Sequence, residues 1–547
     1  MASKILTGDM PELMDRILMN LESEIDSLYS CALVNRHWCN MSIPILWRDP
    51  FSFTNDQAII SEYFSSLDDN EKLILKEFGI IPDFPNTLFN YAKFLKVLDL
   101  SLFDDRVDLW INFQLSNMEK NATNNLNYDI TNLLLKILIK SGATLSTLIL
   151  NESDIFKVNS EISYLLERNT HFFSQLQDLF VVEYNVENVI MLLKILSSNA
   201  TNLYELKFKI SDINDTQLLH EFISIIKSQQ HLEWFKFHGN EDITPEFNEE
   251  VISALENQNG ALKGIQIAFC KFNTEFDVLR KFENLEAISI VGSDEQKILK
   301  LLNIDLCKLS TLEICSYQSI EAANIIQILE KSGPLLQQLK LDSDENEIYS
   351  QSLLFETLIN FCQNITYLYI SSFKFSDQFL NLINCLQKLQ FLSLCWLGGE
   401  SNESKEMMKT YVKNFAEILP STLQYLDLSN VWESSHIDIL LDHCDAPLEN
   451  LLMTIKDYDS NFIDAVIRFC ERKMTLDCVN IGRMDLSCLR MSRERFSGYS
   501  AINDEFWEEI QNDLEGHCEL VTYESILVNL FEDDELYEYY KIRLSEL

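Results

Sequence analysis

Residues able to do acid–base, metal or nucleophilic chemistry are spread thinly through this chain. There are eight histidines, and His436 and His443 fall seven apart, a spacing that on a helix brings them to one face beside Asp442. Such a face would suit a divalent metal, but zinc sites need a further spaced ligand and none follows, so solvated or capping roles fit these residues better. The 13 cysteines are scattered, without the C-x-x-C pair of structural zinc modules. No G-x-S-x-G nucleophile elbow occurs. No cysteine is matched with a histidine in a catalytic pattern. G-x-G-x-x-G and G-x-x-x-x-G-K-[ST] phosphate loops are both missing, which excludes a dinucleotide fold. The expectation is a non-catalytic chain without metal or cofactor.

Charge narrows the partners. Lys and Arg number 43 against 85 Asp and Glu, a net charge of −42 over 547 residues. Polyanions bind through cations that displace counterions. No basic patch reverses the field, so neither nucleic acid nor an anionic membrane is expected as a partner. The acidity serves solubility or speeds encounter with basic partners. Hydrophobic residues make up 47%, ample for a core, and 13 Gly with 9 Pro leave little room for long linkers. The start, MASKILTGDM, has no apolar signal region, and no run of some 18 apolar residues exists. Free thiols without a secretory signal point to the cytoplasm, the nucleus or both.

What could position a binding site is a repeat. The pattern L-x-x-L-x-L, with conservative replacements, recurs thirteen times, from Leu95-Lys96-Val97-Leu98-Asp99-Leu100 to the instance starting at Leu448. From Leu145 to Leu448 the starts lie 23 to 34 residues apart, about 27.5 on average. Helical stretches such as 189–196, 218–226 and 437–441 lie between them. Each unit therefore reads as strand plus helix. The array resembles the leucine-rich repeat, whose period is about 20–29 residues. That resemblance implies an α/β solenoid, a curved horseshoe with strands on the concave side.

Strand side chains alternate faces, so the pattern's leucines point into the core and the residues between them line the concave surface. That surface would carry Phe180, Glu205, Lys207, Lys209, Trp234, Lys236, His238, Thr311, Glu313, Lys340, Asp342, Tyr367, Tyr369, Phe391, Tyr425 and Asp427. Tyr367, Tyr369, Phe391 and Tyr425 come from three successive repeats and suggest one aromatic patch. Lys207, Lys209 and Lys236 suggest a basic strip with Trp234 beside it. Tyr and Trp are frequent interface anchors, although strand propensity alone also places aromatics here. The candidate target-binding residues are Trp234, Lys236, Tyr367, Tyr369, Phe391 and Tyr425.

Ahead of the array, Met10-Pro11-Glu12-Leu13 opens a helix whose apolar stripe is Leu13, Ile17, Leu18 and Leu21. Asp26 and Ser27 can cap a second helix carrying Leu28, Leu33 and Val34, and Trp38 continues its face. Pro44 is expected to break the next segment, which closes at Ile45-Leu46-Trp47-Arg48. The ordered set Met10-Pro11, Glu12-Leu13, Ile17-Leu18, Leu21, Leu28, Leu33-Val34, Trp38 and Pro44-Ile45-Leu46-Trp47-Arg48 resembles an F-box, with Met10 in place of the family's leading Leu. The connector that follows is similar to that of fungal F-box proteins. The resemblance covers about 40 residues and implies a three-helix module docking on a Skp-type adaptor and, through it, a cullin scaffold. Its implied adaptor contacts are Met10, Pro11, Leu13, Ile17, Leu46 and Trp47. Leu21, Leu28, Val34 and Trp38 suit an internal core equally well. The same helices would also serve as a cap on the open end of the repeats.

The expected organisation is an F-box-like module at 5–50, a connector at 51–94 with a helix near 59–78, the solenoid at 95–480, and an acidic cap or tail at 481–547. The run 121–127, rich in Asn, reads as a surface loop inside the long first interval. Residues 503–547 carry 14 acidic and two basic side chains with interspersed aromatics. The resemblance implies the substrate-recognition subunit of a Skp-cullin-F-box ubiquitin ligase, holding a target protein on the concave face. Without RING-type Cys/His spacing the chain would recruit no conjugating enzyme itself. The alternatives are a repeat scaffold with no ligase role and a small-ligand receptor, the latter disfavoured by the lack of a dense Lys/Arg cluster.

Overall fold

The computed structural model describes residues 11–22, 24–53, 58–80, 84, 87–115, 123–151, 158–182, 186–209, 216–240, 243–273, 281–293, 308–316, 322–343, 351–371, 375–395, 405–432, 434–455, 460–484, 499–500, 504–522, 526, 528 and 530. The fold is an α/β repeat solenoid preceded by an N-terminal helical module and a helical connector, and it divides into two compact units, Met1–Leu262 and Lys263–Leu547. The repeat spacing gives no sign of that division.

In the first unit, α1 (Pro11–Met19), α2 (Ile25–Ala32) and α3 (Arg36–Leu46) enclose Met14, Leu18, Leu28 and Ile45, with Leu21, Cys31, Trp38, Met41 and Leu46 packed around them. The Asn35 side chain caps α3 by accepting from the His37 and Trp38 N–H groups at 2.8 and 3.0 Å. Pro44 lies inside α3 and does not end it. Proline forfeits one helical hydrogen bond, and the helix runs on to bury Ile45. Of the stripe expected on α1, Leu18 is buried together with Met14, while Leu13 and Ile17 are exposed on the adjoining side of the helix.

The connector includes the helices Ala58–Phe64 and Asp69–Glu77. Asp68 and Glu71 make a capping box on the second, and buried Glu71 also meets Lys136 at 3.4 Å. Strands β1 (Val97–Asp99), β2 (Thr147–Leu150), β3 (Asp178–Val182), β4 (Glu205–Lys209) and β5 (Trp234–His238) pair parallel in sequence order. The long interval after β1 holds helices Leu100–Gln114 and Thr123–Lys140. The loop expected at 121–127 is therefore corrected: from Thr123 onward the segment is helical. Its Asn127 is buried, donating to Asp108 and accepting from Thr131.

The second unit continues the same rule. Strands β6 (Gly264–Ala268), β7 (Ala287–Val291), β8 (Thr311–Ser316), β9 (Gln338–Ser343), β10 (Tyr367–Ser371), β11 (Phe391–Cys395), β12 (Tyr425–Trp432), β13 (Asn450–Ile455) and β14 (Cys478–Met484) pair parallel in order. β15 (Tyr499–Ser500) pairs antiparallel to β14, and β16 (Glu519–Leu520) adds to it in parallel. Helix Asp504–Leu514 buries Ile510 and Leu514 beside that end. The ladder thus runs to Leu520, past the boundary expected at 480. Within the expected cap or tail, the described residues include this helix and β16, and Tyr537, Tyr539 and Tyr540 lie outside the described residues.

One backbone device sets the register in each unit. The carbonyl just before a strand accepts two successive N–H groups of the next repeat. Lys96 O takes Ser146 and Thr147 at 2.8 and 3.1 Å, and Ser146 O takes Gln177 and Asp178 at 2.8 and 3.0 Å. The same pairing recurs in the second unit from Lys263 O to Glu449 O. Two donors on one carbonyl satisfy groups that a turn would otherwise leave unpaired, which explains why repeats of unequal length keep one register. Buried glutamines add side-chain staples in the first unit. Gln229 accepts from Leu203 N at 3.0 Å and donates to Ala200 O at 2.9 Å, and Gln258 donates to Gln229 O at 2.9 Å.

Candidate functional site

The pattern leucines are core: Leu206, Leu312, Leu339, Leu368, Leu392 and Leu426 are all fully buried. The intervening residues form rows across the strands, because parallel register places equivalent positions side by side.

In the first unit the register sets Glu205 against Trp234, Lys207 against Lys236, and Lys209 against His238. In the expected basic strip one lysine is paired. The Lys236 ammonium sits 2.9 Å from a Glu205 carboxylate oxygen, and Lys207, Lys236 and His238 are buried. Trp234 donates its indole N–H to the Tyr204 hydroxyl at 3.0 Å. A buried, neutralised lysine is no anion site.

In the second unit the expected aromatic patch resolves into two rows. Tyr367, Phe391 and Tyr425 are in register and touch in sequence, with ring centroids 6.3 and 5.5 Å apart. Tyr369 is not among them. It lies opposite Lys340 and Ser393, and the Lys340 ammonium stands 5.5 Å over its ring. Tyr367 and Tyr425 are only 5% and 3% exposed, although they project from the face opposite the leucines. The Tyr367 hydroxyl donates to the Val528 carbonyl at 3.4 Å, so the C-terminal segment reaches this row. Burial pushes the Tyr367 phenol well above its ordinary value, which keeps it a donor.

Tyr369 belongs to a polar row that sequence reading missed as a unit. Gln266 donates to Ser289 at 3.4 Å, Ser289 donates to a Glu313 carboxylate oxygen at 2.7 Å, and the other oxygen meets Lys340 at 2.7 Å. Glu313 and Lys340 were individually placed on this face; what joins them is the cross-strand step, visible only once register is known. Burial opposes charge on Lys340, but Cys315, Glu313 and Tyr367 outweigh it and hold the ammonium protonated. Burial pushes the Cys315 thiol up. Neither group is a nucleophile in this state. Beyond Tyr369 the same row continues, Ser393 donating to Asp427 at 2.7 Å.

At the N-terminal module, Leu13 and Ile17 are 39% and 47% exposed on α1, and Tyr29, Leu33 and Val34 are exposed at the end of α2. Pro11 opens α1, and Met10 lies outside the described residues. Leu46 and Trp47 are turned to other work. Leu46 packs on the module's core, and Trp47 stacks on Tyr91 at 4.0 Å and meets Tyr63 edge-on at 5.4 Å. Val34, a candidate for the core, is outside it.

His436 is buried on helix Ser434–His443, while Asp442 is engaged by Arg468 at 3.2 Å. Among the described residues no group of three His, Cys, Asp or Glu side chains is placed to hold a metal, and no helix is long and apolar enough to cross a membrane.

No protein-family model matches the chain, and no curated protein matches its sequence. Among solved structures, the chain is similar to one from a crystal structure of the Rad7 and Elc1 complex in yeast, at 13% identity and a TM-score of 0.38, over 81% of this chain and 99% of that one. It is also similar to a leucine-rich-repeat protein of Leptospira interrogans, at 14% identity and a TM-score of 0.31, over 70% and 91%. At these scores neither likeness bears on function.

Proposed function

We propose that this chain is the substrate-recognition subunit of a Skp-cullin-F-box ubiquitin ligase, working in the cytoplasm, the nucleus or both. Its three N-terminal helices dock on the Skp-type adaptor, and the rows of the solenoid hold a target protein. Its part in the reaction is proximity: the target lysine is held near a ubiquitin thioester carried by another subunit, and no residue here is catalytic.

The observation that carries this reading is the two-sided apolarity of α1. Met14 and Leu18 satisfy the module's own core, which leaves Leu13 and Ile17 outward with no intramolecular need for them. Exposed apolar side chains gathered on one short module mark a docking face. Leu13 and Ile17 are the adaptor contacts this reading retains. Leu46 and Trp47 have internal roles and are poor probes of docking. Co-purification of the full chain with a purified Skp-type adaptor, alongside a Leu13→Asp/Ile17→Asp variant, tests it. Binding by the wild type alone supports the reading.

The second reading, a repeat scaffold with no adaptor, is favoured by one specific contact. The Arg48 carbonyl seats the module on β1, so the helices have a capping job independent of any ligase. A folded wild type that ignores the adaptor would select it.

A further inference from the structure

The end of the ladder is built by two turns of one kind. Helix Ser460–Lys473 stops at Met474, whose backbone is left-handed at φ +56° and whose N–H returns to the Cys470 carbonyl at 2.8 Å. The chain then enters β14 at Cys478. Helix Asp504–Leu514 lies against the first and stops likewise. Gly516 is left-handed at φ +84°, His517 returns its N–H to the Leu514 carbonyl at 3.0 Å, and β16 begins at Glu519. Cys478 and Glu519 are partners in the register, so the residues leading into the two strands are brought together.

Among them are Cys470 and Cys518, whose thiols are hydrogen-bonded to one another. Cys470 is buried in the last turn of its helix, and Cys518 is partly exposed, so solvent reaches the pair. The bond from Cys518 favours the Cys470 thiolate and lowers the Cys470 pKa against the effect of burial, while it raises that of Cys518. Cys444 and Cys362, by contrast, are pushed by burial up to about 11 and about 12. The pair thus sets an activated sulfur beside one that keeps its proton, which is the arrangement of an attacking and a resolving thiol.

A covalent joint here acts on the last rung. β16 is held to β14 through the pairs Cys478–Glu519 and Val479–Leu520. The Glu519 N–H donates to the Asp477 carbonyl at 2.8 Å and the Val521 N–H to the Val479 carbonyl at 2.9 Å. A rung this short at the end of an array opens more readily than the interior.

We propose that Cys470 and Cys518 are a peroxide-responsive dithiol, closing to a disulfide that clamps the last rung and opening again under a thiol reductant. The Cys470 sulfur gives an electron pair to one peroxide oxygen and the O–O bond breaks. The hydroxide that leaves takes up the proton the thiol had released, leaving a sulfenic acid and water. The Cys518 sulfur then attacks the Cys470 sulfur, the S–O bond breaks, and the hydroxyl departs with the Cys518 proton as a second water. Two thiols are oxidised and one peroxide is reduced. Exchange with a thiol reductant reverses the step. Both cysteines belong to the second unit and nothing in the proposal uses the N-terminal helices, so a failed adaptor experiment leaves it standing.

The test uses the full chain, reduced and then exposed to hydrogen peroxide. Trypsin puts Cys470 in peptide 469–472, Cys478 in 474–483 and Cys518 in 496–541. Mass spectrometry should find 469–472 joined to 496–541, about 2 Da lighter than the two together, and dithiothreitol should release them. In Cys518→Ser, which lacks the resolving thiol, dimedone should instead label Cys470. Hydrogen exchange at the Glu519 and Val521 amides should slow at least tenfold on oxidation. A Cys470 that stays a free thiol under peroxide, or joins Cys478, overturns the pairing. Exchange at 519–521 that a formed disulfide leaves unchanged overturns the clamp. The peptide map needs only the wild type, so it decides the pairing even if Cys518→Ser does not fold.

Discussion

The Arg48 carbonyl accepts the Val97 N–H at 3.1 Å and the Lys96 N–H at 2.8 Å. This is the same two-donor arrangement that joins each repeat to the next, and it makes the end of the helical module the zeroth rung of the first unit. The Arg48 main chain, which follows the Leu46 and Trp47 that the family resemblance assigns to the adaptor, is thus committed to the array. Module and cap are one object, and the free apolar face is on α1.

Trp47→Ala should therefore act as a stability mutation. It removes a ring stacked on Tyr91 and packed against Tyr63, at a cost of about 2–4 kcal/mol. Thermal unfolding should show a lower midpoint for the first unit. Leu13→Asp, at an outward position, should leave the midpoint within about 0.5 kcal/mol of wild type. The reverse order would place Trp47, not Leu13, on the free face.

Much of this was legible in the sequence, because the leucine pattern has period two inside each strand and about 27 residues between them. The strands fell where those leucines stand. The carbonyl rungs left no trace, since any residue type supplies a main-chain oxygen. Spacing put Leu13, Ile17 and Leu18 in one apolar stripe and left Met14 out, whereas Met14 and Leu18 are buried and Leu13 and Ile17 are exposed, because α1 is apolar on two adjoining sides. Asn127 was misread because an Asn-rich run looks solvated, whereas this one spends its amide on Asp108 and Thr131. The Tyr367 hydroxyl finds its acceptor 161 positions away, which no local pattern announces.

Gly333 is held by a close approach between repeats. A Cβ there would strike the Leu329 carbonyl, the Cys362 sulfur and Phe361 Cβ. Gly333→Ala should cost about 1–3 kcal/mol despite removing a flexible residue from a helix end. A chemical denaturation midpoint equal to or above wild type would show that the neighbouring helix Gln351–Phe361 yields.

Glu313 and Lys340 should prove strongly coupled. Glu313→Ala strands a largely buried ammonium, at about 3–5 kcal/mol. Lys340→Met in the same chain should recover most of that loss, giving a double-mutant interaction well above 1 kcal/mol. Additive losses would mean that the pair at 2.7 Å contributes nothing of its own.

Acid should help one site. Burial raises the pKa of Asp178, and Glu205 adds to this, while the Thr147 hydrogen bond and Arg48 pull the other way. With the folded value above the unfolded one, the folded state binds the proton more tightly. Asp178 therefore costs stability at neutral pH, and the cost disappears as pH falls through the folded pKa. Asp178→Asn keeps an acceptor for the Thr147 hydroxyl, now at 3.1 Å. It should raise the neutral-pH melting temperature and shrink the wild type's gain on acidification. An unchanged pH profile of calorimetric melts would contradict this.

The central claim is that α1 tethers the chain to an adaptor through its outward face. The direct measurement is calorimetric titration of a purified Skp-type adaptor into the full chain and into Leu13→Asp/Ile17→Asp. The expected result is saturable one-to-one binding to wild type and at least a hundredfold loss in the variant, with both chains unfolding at the same temperature. A folded wild type that gives no heat and does not co-elute with the adaptor would contradict the claim, leaving the helices as the cap that Arg48 makes them.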